Sequence, residues 1–280
     1  MFLKSKIIND VLTYIENNFT SGIDIDDITK FSGYSRRHIQ DIIKQRINMP
    51  VGLYIRRIRI SRAAALLRLT HMDIIDISVK LGFDSQQSFC REFKKLTGYT
   101  PREYRKNLSW DLTPLQEFLP RNEIIVNNIE KCTLPVGYVT GFHYNYDSPT
   151  PPLQESYQHR LNLIYEQLSS LKQDIWTLTG FNPHPNSTTR MKVKSIIGTK
   201  GDYSLNTYNR YECPSGEYAC FSFRFNKDNY WFFSRHIYLK LMPERRLKRK
   251  NGYDIEVFYY SEDDILNETI SCDHYVPLEI

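Results

Sequence analysis

The sequence predicts an all-α domain over residues 1–107, a linker at 108–122 and an α+β domain over residues 123–280. Apolar residues recur at helical spacing in the first part, and they alternate with the two-residue period of strands in the last part. The net charge also changes sign between the two parts. A chain of 280 residues is, in addition, longer than most single domains.

Charge indicates which part contacts nucleic acid. Residues 1–107 hold 19 Lys and Arg against 11 Asp and Glu, a balance of +8, whereas the remainder carries −3 of the total of +5. A basic first domain beside a mildly acidic second domain indicates a nucleic-acid partner for the first domain alone.

Several features that the sequence lacks exclude classes of function. No apolar run approaches the roughly twenty residues of a membrane helix, and the first ten residues lack the apolar core of a signal peptide. The five cysteines are odd in number and form no C-x-x-C pair. We therefore expect no membrane partner, no metal site, no cofactor and no disulfide, with reduced thiols in a cytoplasmic, nucleoid-associated protein.

The segment 82–105 is the most informative part of the first domain. Its signals, in chain order, are a glycine turn, an N-cap, an apolar face and a helix stop at Gly82, Ser85, Phe89 with Phe93, and Gly98. A short apolar helix precedes the turn. The pattern is typical of a helix-turn-helix unit at about 73–97, followed by a short helix that opens at Thr100-Pro101.

The chain repeats this pattern with a period of about fifty residues. The earlier copy has the same signals at Ile28, Gly33-Tyr34-Ser35, Ile39, Ile43 and Tyr54, which match Ile77, Gly82-Phe83, Phe89, Phe93 and Tyr104. The repeat predicts a second helix-turn-helix unit at about 24–46.

A long helix at 51–69 joins the two units. Its arginines are expected on the outside, at positions 56, 57, 59, 62 and 68. Nineteen residues span roughly 28 Å at 1.5 Å each, which approaches the roughly 34 Å between successive major grooves on one duplex face. One chain is therefore expected to bind an asymmetric site of about twenty base pairs without forming a dimer.

The outward faces of the two reader helices have side chains that suit base edges and phosphates. Gln pairs with adenine and Arg with guanine in the major groove. We expect base contacts from Arg36, Arg37 and Gln40 in one groove and from Gln86, Gln87, Ser88 and Arg91 in the next. We expect phosphate contacts from Ser35, Ser85, Lys94, Lys95 and Arg57. The alternative is that each polar face is only solvated.

The motif G-F-x-S-Q-Q-S-F-x-R-x-F-K-K-x-x-G-x-T-P-x-x-Y-R resembles the signature of the AraC/XylS transcription regulators. Residues 1–107 resemble the MarA/SoxS/Rob branch of that family. The resemblance implies an activator that binds double-stranded promoter DNA as a monomer and recruits RNA polymerase, at stress or drug-resistance genes. It also implies base-edge or nearby contacts at the positions of Arg37, Gln40, Asp41, Gln86, Gln87, Ser88 and Arg91.

Two residues of the first reader depart from that branch. MarA-like members usually carry Trp at the position of Arg37 and Arg at the position of Asp41. Asp41 either accepts a hydrogen bond from a cytosine amine, repels phosphate, or pairs with Arg37 four residues earlier.

The pattern of the second domain predicts several strands and two helices. Strands are expected at about 124–126, 134–139, 191–197, 203–211, 218–224, 254–260 and 270–278, and helices at 157–171 and 229–242. The order suggests two β-α-β-β halves, and therefore an antiparallel sheet with a cleft between the halves. The basic run 245–250 is expected in a solvated loop.

This half resembles, more loosely, the gyrase-inhibitor-like ligand domain, through Val136-Gly137, Pro214-Ser215-Gly216-Glu217-Tyr218 and Gly252-Tyr253-Asp254-Ile255-Glu256. The resemblance implies a small amphipathic or cationic effector held by aromatic residues and an acidic residue. The candidates are Glu256, Trp231, Tyr208 and Tyr144. The alternative is that the aromatic residues only form core.

Two other classes of function stay open. One is a hydrolase that uses Glu256 with a nearby Tyr as general base, although no His–carboxylate or Ser–His arrangement is evident in the sequence. The other is a non-specific architectural DNA binder, which would bind random duplex as tightly as any promoter.

Overall fold

The computed structural model describes residues 2–113, 115, 126–150, 152, 154–201 and 209–279. The chain divides into two units. The first contains the residues up to Arg68 and Met72–Lys106, and the second contains Leu69–His71, Asn107–Leu112 and the described residues from Val126 onward. Most of the predicted linker lies outside the described residues.

The described residues of the first unit form helices. They are α1 Phe2–Asn18, α2 Ile25–Ser32, α3 Arg36–Ile47, α4 Val51–Leu69, α5 Ile74–Lys80, α6 Gln86–Thr97 and α7 Pro101–Lys106. The predicted all-α class and the predicted bounds of α4 are confirmed.

Local signals set the ends of the paired helices α2–α3 and α5–α6. Ser35 accepts a hydrogen bond from the backbone N–H of His38 at 3.4 Å, and Ser85 accepts one from that of Ser88 at 3.1 Å. Gly33 and Gly82 occupy the same place in the two pairs, and both have the left-handed φ that favours glycine, +71° and +70°. The repeat therefore extends to caps and turns.

The apolar positions of the repeat form the core of the first unit. Each is at most 2% exposed, and the matched pairs are Ile28 with Ile77, Ile39 with Phe89, Ile43 with Phe93, and Tyr54 with Tyr104. The later copy has phenylalanine rings where the earlier copy has Ile39 and Ile43. The rings of the later copy contact one another edge to face, from Phe89 through Phe93 to Tyr104.

Helix α4 is more deeply buried than its sequence indicated. Ile60, Ala63 and Leu67 are buried as well as Tyr54, Ile55, Ile58, Leu66 and Leu69. Of the five arginines expected on the outside, Arg56 alone is fully exposed, and the other four are half-buried. Arg59 and Arg68 donate hydrogen bonds to backbone carbonyls of other segments, so they stabilise packing in place of facing solvent.

The second unit is built on one antiparallel sheet of eight strands in the order β2-β7-β10-β9-β4-β5-β3-β6. The strands are β2 Val126–Leu134, β3 Gly137–Pro149, β4 Ile175–Pro183, β5 Arg190–Lys200, β6 Asn209–Cys213, β7 Gly216–Asn226, β9 Asp254–Tyr259 and β10 Thr269–Pro277. Strands β1 Ser109–Asp111 and β8 Lys248–Lys250 pair separately. Short helix α11 spans Glu262–Leu266.

The sheet contains two similar halves, as the sequence predicted. One half is β3, helix α8 Gln154–Leu171, β4 and β5, and the other is β7, a helical segment, β9 and β10. Each half orders its strands as first, third, second, and the halves join where β4 pairs with β9. Side chains from both halves therefore meet at the β4–β9 junction.

Several sequence predictions for this unit are wrong in detail. The helix expected at 229–242 is divided into a 3₁₀ turn, α9 Tyr230–His236, a π-helical turn at Ile237–Leu241 and α10 Met242–Glu244. The strand expected across 134–139 is interrupted because Pro135 cannot donate to a ladder. Strand β4 was not predicted, and Ser109–Asp111 is a strand where an irregular linker was expected. The predicted strands at 124–126 and 203–211 lie partly outside the described residues.

Two further findings concern membrane-spanning helices and disulfide bonds. Among the helices that the structure describes, none combines the length and the apolar character that a membrane crossing needs. All five cysteines are free thiols.

Candidate nucleic-acid interface and buried polar cluster

Helix α3 presents a polar face to solvent. Five of the side chains proposed to contact DNA in this region are exposed: Ser35, Arg36, Arg37, Gln40 and Asp41. The buried residues Ile39 and Ile43 anchor the opposite face of the helix. The arrangement keeps the polar residues free to approach a duplex.

Helix α6 presents a matching face. Gln86, Gln87, Arg91, Lys94 and Lys95 are exposed on it, and Ser85 is exposed at its N-cap. Ser88 is half-buried, and its backbone N–H is used by the cap. Ser88 is therefore the weakest of the predicted base contacts. The Ser85 oxygen accepts the cap hydrogen bond, which leaves its O–H to donate to a phosphate.

One of the three alternatives for Asp41 was an ion pair with Arg37 on the same helix. No ion pair joins Arg37 to Asp41 in the described residues; Arg36 instead pairs with Asp26 of α2 at 3.4 Å. Both partners of that pair are more than half exposed, so it stabilises little. Asp41 thus has no cation partner among the described residues, and its carboxylate lies on the exposed face of α3.

The remaining phosphate candidate lies on α4. Arg57 is half-buried, so less of its side chain reaches solvent than the sequence suggested.

Arg59 of α4 fixes the turn of the second helix pair to the segment between α1 and α2. Its Nε donates to the carbonyl of Phe19 at 2.7 Å, and its Nη1 donates to the carbonyl of Gly82 at 3.4 Å. Its guanidinium also lies over the Phe83 ring, 5.9 Å from the centroid. At Gly82 an added Cβ would lie 2.7 Å from the carbonyl oxygen of Thr20. The turn before α6 therefore packs directly against the segment that follows α1.

The second unit contains a buried ion pair that the sequence did not reveal. Arg160 of α8 donates to Glu256 of β9, and their side chains are 3% and 2% exposed. Arg160 also donates to hydroxyl groups on β4, β5 and α9: Thr177 at 2.7 Å, Thr179 at 3.0 Å, Ser195 at 3.2 Å and Tyr230 at 3.0 Å. We call these six residues the buried polar cluster.

Both carboxylate oxygens of Glu256 have partners. Thr177 donates to one oxygen at 2.8 Å, and the Tyr230 hydroxyl donates to the other. Burial alone would raise the pKa of Glu256, but the charge and hydrogen bonds of Arg160, with Tyr230 and His274, lower it to about 2. A carboxylate with so low a pKa is a weak general base, so the geometry does not favour the hydrolase alternative.

A second ion pair lies next to this cluster. Arg249 donates to Asp254 at 2.9 Å, and Tyr238 also donates to Asp254. His274 lies between the two acids, with Nε2 3.3 Å from Asp254 and Nδ1 3.6 Å from Glu256. The sequence showed no His–carboxylate arrangement because these residues come from different strands, β9 and β10, so that expectation is corrected.

The basic run 245–250 is likewise not simply a solvated loop. Arg249 is 4% exposed, it lies in β8, and its guanidinium lies 5.2 Å from the ring centroid of Trp110 in β1. The alternation of β8 explains the difference, since Lys248 and Lys250 on either side are exposed.

The aromatic ligand candidates do not form one group. Tyr144 is half-buried, and its ring lies 5.6 Å from that of Tyr146. The ring of Trp231 lies 3.9 Å from that of Phe232 at a tilt of 31°, and its buried indole N–H has no hydrogen-bond acceptor within the described part of the chain. Tyr208 lies outside the described residues.

Sequence reasoning missed Arg160 as a functional residue. One signal could have found it: Arg160 falls in phase with the apolar residues Leu161, Ile164 and Leu168 of α8, all of which are buried. An arginine on the buried face of a helix requires an internal acidic partner.

The fold and these sites define a two-part protein, in which a basic helical domain exposes two polar helices and an α+β domain encloses an ion cluster. Residues 28–107 match the family model described as a helix-turn-helix domain, and residues 128–279 match the one described as a GyrI-like small molecule binding domain.

Two relatives match almost the whole chain, and a third matches about a third of it. The F1 operon positive regulatory protein of Yersinia pestis is 35% identical over 279 residues, which cover 99% of this chain and 89% of that protein. The transcriptional regulator Rob of Salmonella typhimurium is 27% identical over 97% of this chain and 98% of its own length. The HTH-type transcriptional activator AarP of Providencia stuartii is 45% identical over 36% of this chain and 76% of its own length.

The chain belongs to the AraC-type transcription regulators, and it carries a GyrI-like domain. It is a DNA-binding transcription regulator.

Proposed function

We propose that this regulator is an activator in which a single chain binds two successive major grooves of promoter DNA and recruits RNA polymerase. The observation that carries the proposal is the internal repeat, in which α2–α3 and α5–α6 have matched caps, matched glycine turns and matched buried residues. Both pairs then act as helix-turn-helix units, with α3 and α6 as the reader helices.

Rigidity supports simultaneous binding. Helix α4 has 19 residues, which rise roughly 28 Å, against roughly 34 Å between successive major grooves. Arg59 and the close approach of Thr20 to Gly82 hold the turn of the second pair against α4 and the segment between α1 and α2. A pre-organised pair of readers loses less conformational entropy on binding than two readers on a flexible tether.

Base and phosphate contacts are proposed for the exposed residues of both helices and for the half-buried Ser88 and Arg57. We propose that Arg36, Arg37, Gln40 and Asp41 act in the first groove and Gln86, Gln87, Ser88 and Arg91 in the second, with Ser35, Ser85, Lys94, Lys95 and Arg57 at phosphates. The relatives' printed names include a positive regulatory protein and a transcriptional activator, which supports activation at promoters. Stress or drug-resistance genes are the proposed targets.

Selection of bound duplexes from random DNA by the full chain tests the proposal. The expected result is an asymmetric site with two half-sites about ten base pairs apart. Gln40→Ala should relax base preference in one half-site, and Gln87→Ala should relax it in the other. If the selected duplexes share no sequence and the affinity for DNA falls steeply with salt, the chain is instead an architectural binder.

Recruitment is tested by transcription in vitro from the selected site. Addition of the full chain should raise RNA polymerase occupancy and transcript yield at that promoter and not at a promoter with both half-sites scrambled. Unchanged occupancy at the intact site would overturn the activator proposal while leaving specific binding intact.

We further propose that the second unit modulates the regulator by binding a small amphipathic or cationic effector. Support comes from the family description of this unit and from rings that surround the buried polar cluster, where Tyr157 and Tyr230 lie 6.0 Å apart. Burial raises the pKa of the Tyr146 phenol to about 12, against the opposing positive charge of Arg160. A compound that raises the unfolding temperature of this unit and also changes DNA affinity of the full chain would establish the role.

A further inference from the structure

Strands β9 and β10 place an acidic side chain on each face of the eight-stranded sheet. Glu256 is paired with His274 across the two strands and contacts Arg160 of α8, so it lies on the face that α8 covers. Asp273 follows the opposite alternation, and its side chain therefore lies on the other face. Glu256 is 1% exposed, whereas Asp273 is half-buried. Of these two acids, Asp273 is the one that solvent reaches.

Two tyrosines flank Asp273 on this face. The Tyr259 hydroxyl donates to Oδ2 of Asp273 at 2.6 Å, and the Tyr275 hydroxyl donates to the same oxygen at 3.3 Å. Burial and the hydrogen bond to Asp273 raise the pKa of the Tyr259 phenol, so this phenol remains a donor at neutral pH. Oδ1 accepts no hydrogen bond from the described residues. That oxygen is left to accept from a bound group.

The Asp273 carboxylate has no cation partner in the described part of the chain, since its polar contacts there are the two phenols. Two basic side chains share the face by strand alternation. Arg224 is paired with Asp264 of α11. Lys200 lies over the ring of Trp176, 4.6 Å from its centroid. Both of these cations therefore have contacts elsewhere.

The two tyrosine rings rest on an apolar layer. Asp273 faces Val257 in the ladder and Tyr275 faces Ile255, and both apolar residues are at most 2% exposed. Tyr275 packs against the apolar cluster that contains Ile255. Tyr259 is 37% exposed and Tyr275 is half-buried. The rings are therefore supported from below and remain accessible from above.

We propose that the effector of the second unit binds on this face, as an amphipathic organic cation whose positive group meets Asp273 between Tyr259 and Tyr275. The carboxylate supplies an ion pair, and the faces of the rings attract positive charge. The proposal rests on the proposed effector role of the unit, for which it names the site and the charge of the ligand. It moves the acidic ligand contact from Glu256, which pairs with Arg160, to Asp273.

Two xanthene dyes of similar size test the proposal on the full chain, with rhodamine 6G as the cation and fluorescein as the anion. Fluorescence anisotropy should show that the wild type binds rhodamine 6G more tightly than fluorescein. Asp273→Asn should weaken rhodamine 6G binding about tenfold, because the ion pair is lost while the shape of the side chain is kept. Tyr259→Leu should weaken it about threefold, and Tyr259→Phe should not, because phenylalanine keeps the ring.

Glu244→Gln is the matched control for charge. Glu244 is exposed on α10, and its replacement also removes one negative charge from the second unit. Rhodamine 6G affinity should change by less than about twofold, because salt screens a charge that lies far from the ligand. If Asp273→Asn does not fold, the comparison of Tyr259→Leu with Tyr259→Phe still decides.

Four results overturn the proposal. They are a wild type that does not bind rhodamine 6G, a folded Asp273→Asn variant that binds it as the wild type does, equal binding by Tyr259→Leu and Tyr259→Phe, and binding that is lost in Glu256→Gln but not in Asp273→Asn. The last result would place the site at the buried polar cluster.

The DNA affinity of the full chain separates this site from the effector role. If the dye results hold but rhodamine 6G changes the DNA affinity of the wild type no more than that of Asp273→Asn, the site stands and the proposed effector role fails. Another compound that binds the second unit and changes DNA affinity equally in the wild type and in Asp273→Asn would sustain the effector role and overturn this site.

Discussion

Arg160 and Glu256 lie 96 positions apart in the chain and form an ion pair across the junction of the two halves of the sheet. Arg160 comes from the first half, on α8, and Glu256 from the second, on β9. The pair is the most deeply enclosed charge contact described in the second unit, and it joins the halves in a single geometry.

Breaking this pair should destabilise the second unit strongly. Arg160→Ala should lower the free energy of unfolding by about 3–5 kcal/mol, because it leaves an uncompensated buried carboxylate. Tryptophan fluorescence during urea denaturation reports this unit selectively, because Trp110, Trp176 and Trp231 all lie in it.

The exposed pair Lys172–Glu262 is the matched control for that measurement. Its side chains are 67% and 74% exposed, so Lys172→Ala should change stability by less than about 1 kcal/mol. The double variant R160Q/E256Q should cost less than Arg160→Ala alone. An Arg160→Ala variant as stable as Lys172→Ala would contradict the assignment.

Acid should destabilise the second unit in a defined pH window. The folded pKa of Glu256 is about 2 against 4.5 for the free side chain. A lowered pKa means that the stabilisation is fully present above pH 4.5 and is lost as the pH falls toward 2, by about 3 kcal/mol in total. The measurement is urea denaturation at a series of pH values, and R160Q/E256Q should show a shallower loss. Identical pH profiles would refute the prediction.

The equivalent glycines of the two helix pairs should respond differently to alanine. Gly33 and Gly82 share a left-handed φ, but an added Cβ meets nothing within 4 Å at Gly33 and meets the Thr20 carbonyl at 2.7 Å at Gly82. Gly33→Ala should cost about 1 kcal/mol from backbone strain alone, and Gly82→Ala should cost clearly more.

Far-UV circular dichroism during thermal unfolding measures this difference, because the first unit is helical and contains no tryptophan. Gly82→Ala should also weaken binding to the complete DNA site more than Gly33→Ala. Equal losses for both variants would show that Thr20 does not brace the second pair.

Local parts of the fold could be predicted from the sequence, and distant ones could not. Caps and turns at Ser35, Ser85 and Gly82 depend on a few adjacent residues, so their signals are present in any short window. The cluster at Glu256 depends on which strands become neighbours. Register places His274 and Thr177 on either side of Glu256, and no short window contains that information.

Charged residues that were expected in solvent can also be buried by the fold. Arg59 and Arg249 were each read from the sequence as solvated. Arg59 contacts backbone carbonyls of two segments, and Arg249 is enclosed with Asp254. Charge runs predict exposure on average, but they fail where a strand alternates or where a helix is enclosed on several sides.

Asp41 should determine preference in the first half-site. It is exposed on α3 and has no internal cation among the described residues, so it repels phosphate or accepts from a cytosine amine. Asp41→Arg should change base preference and affinity at the first half-site alone.

Asp76→Arg is the matched control for charge, since Asp76 is equally exposed but lies on α5. It should alter affinity uniformly across sequences without changing preference. Selection from random DNA by both variants makes the comparison. An Asp41→Arg profile unchanged at the first half-site would contradict the placement of α3 in a groove.

Hydroxyl-radical footprinting of the full chain on its selected site, with the chain-to-DNA ratio measured on the same complex, tests the central claim most directly. We predict protection of two successive major grooves on one face of the duplex by a single chain. Protection of one groove per chain, or binding only as a symmetric pair of chains, would contradict it.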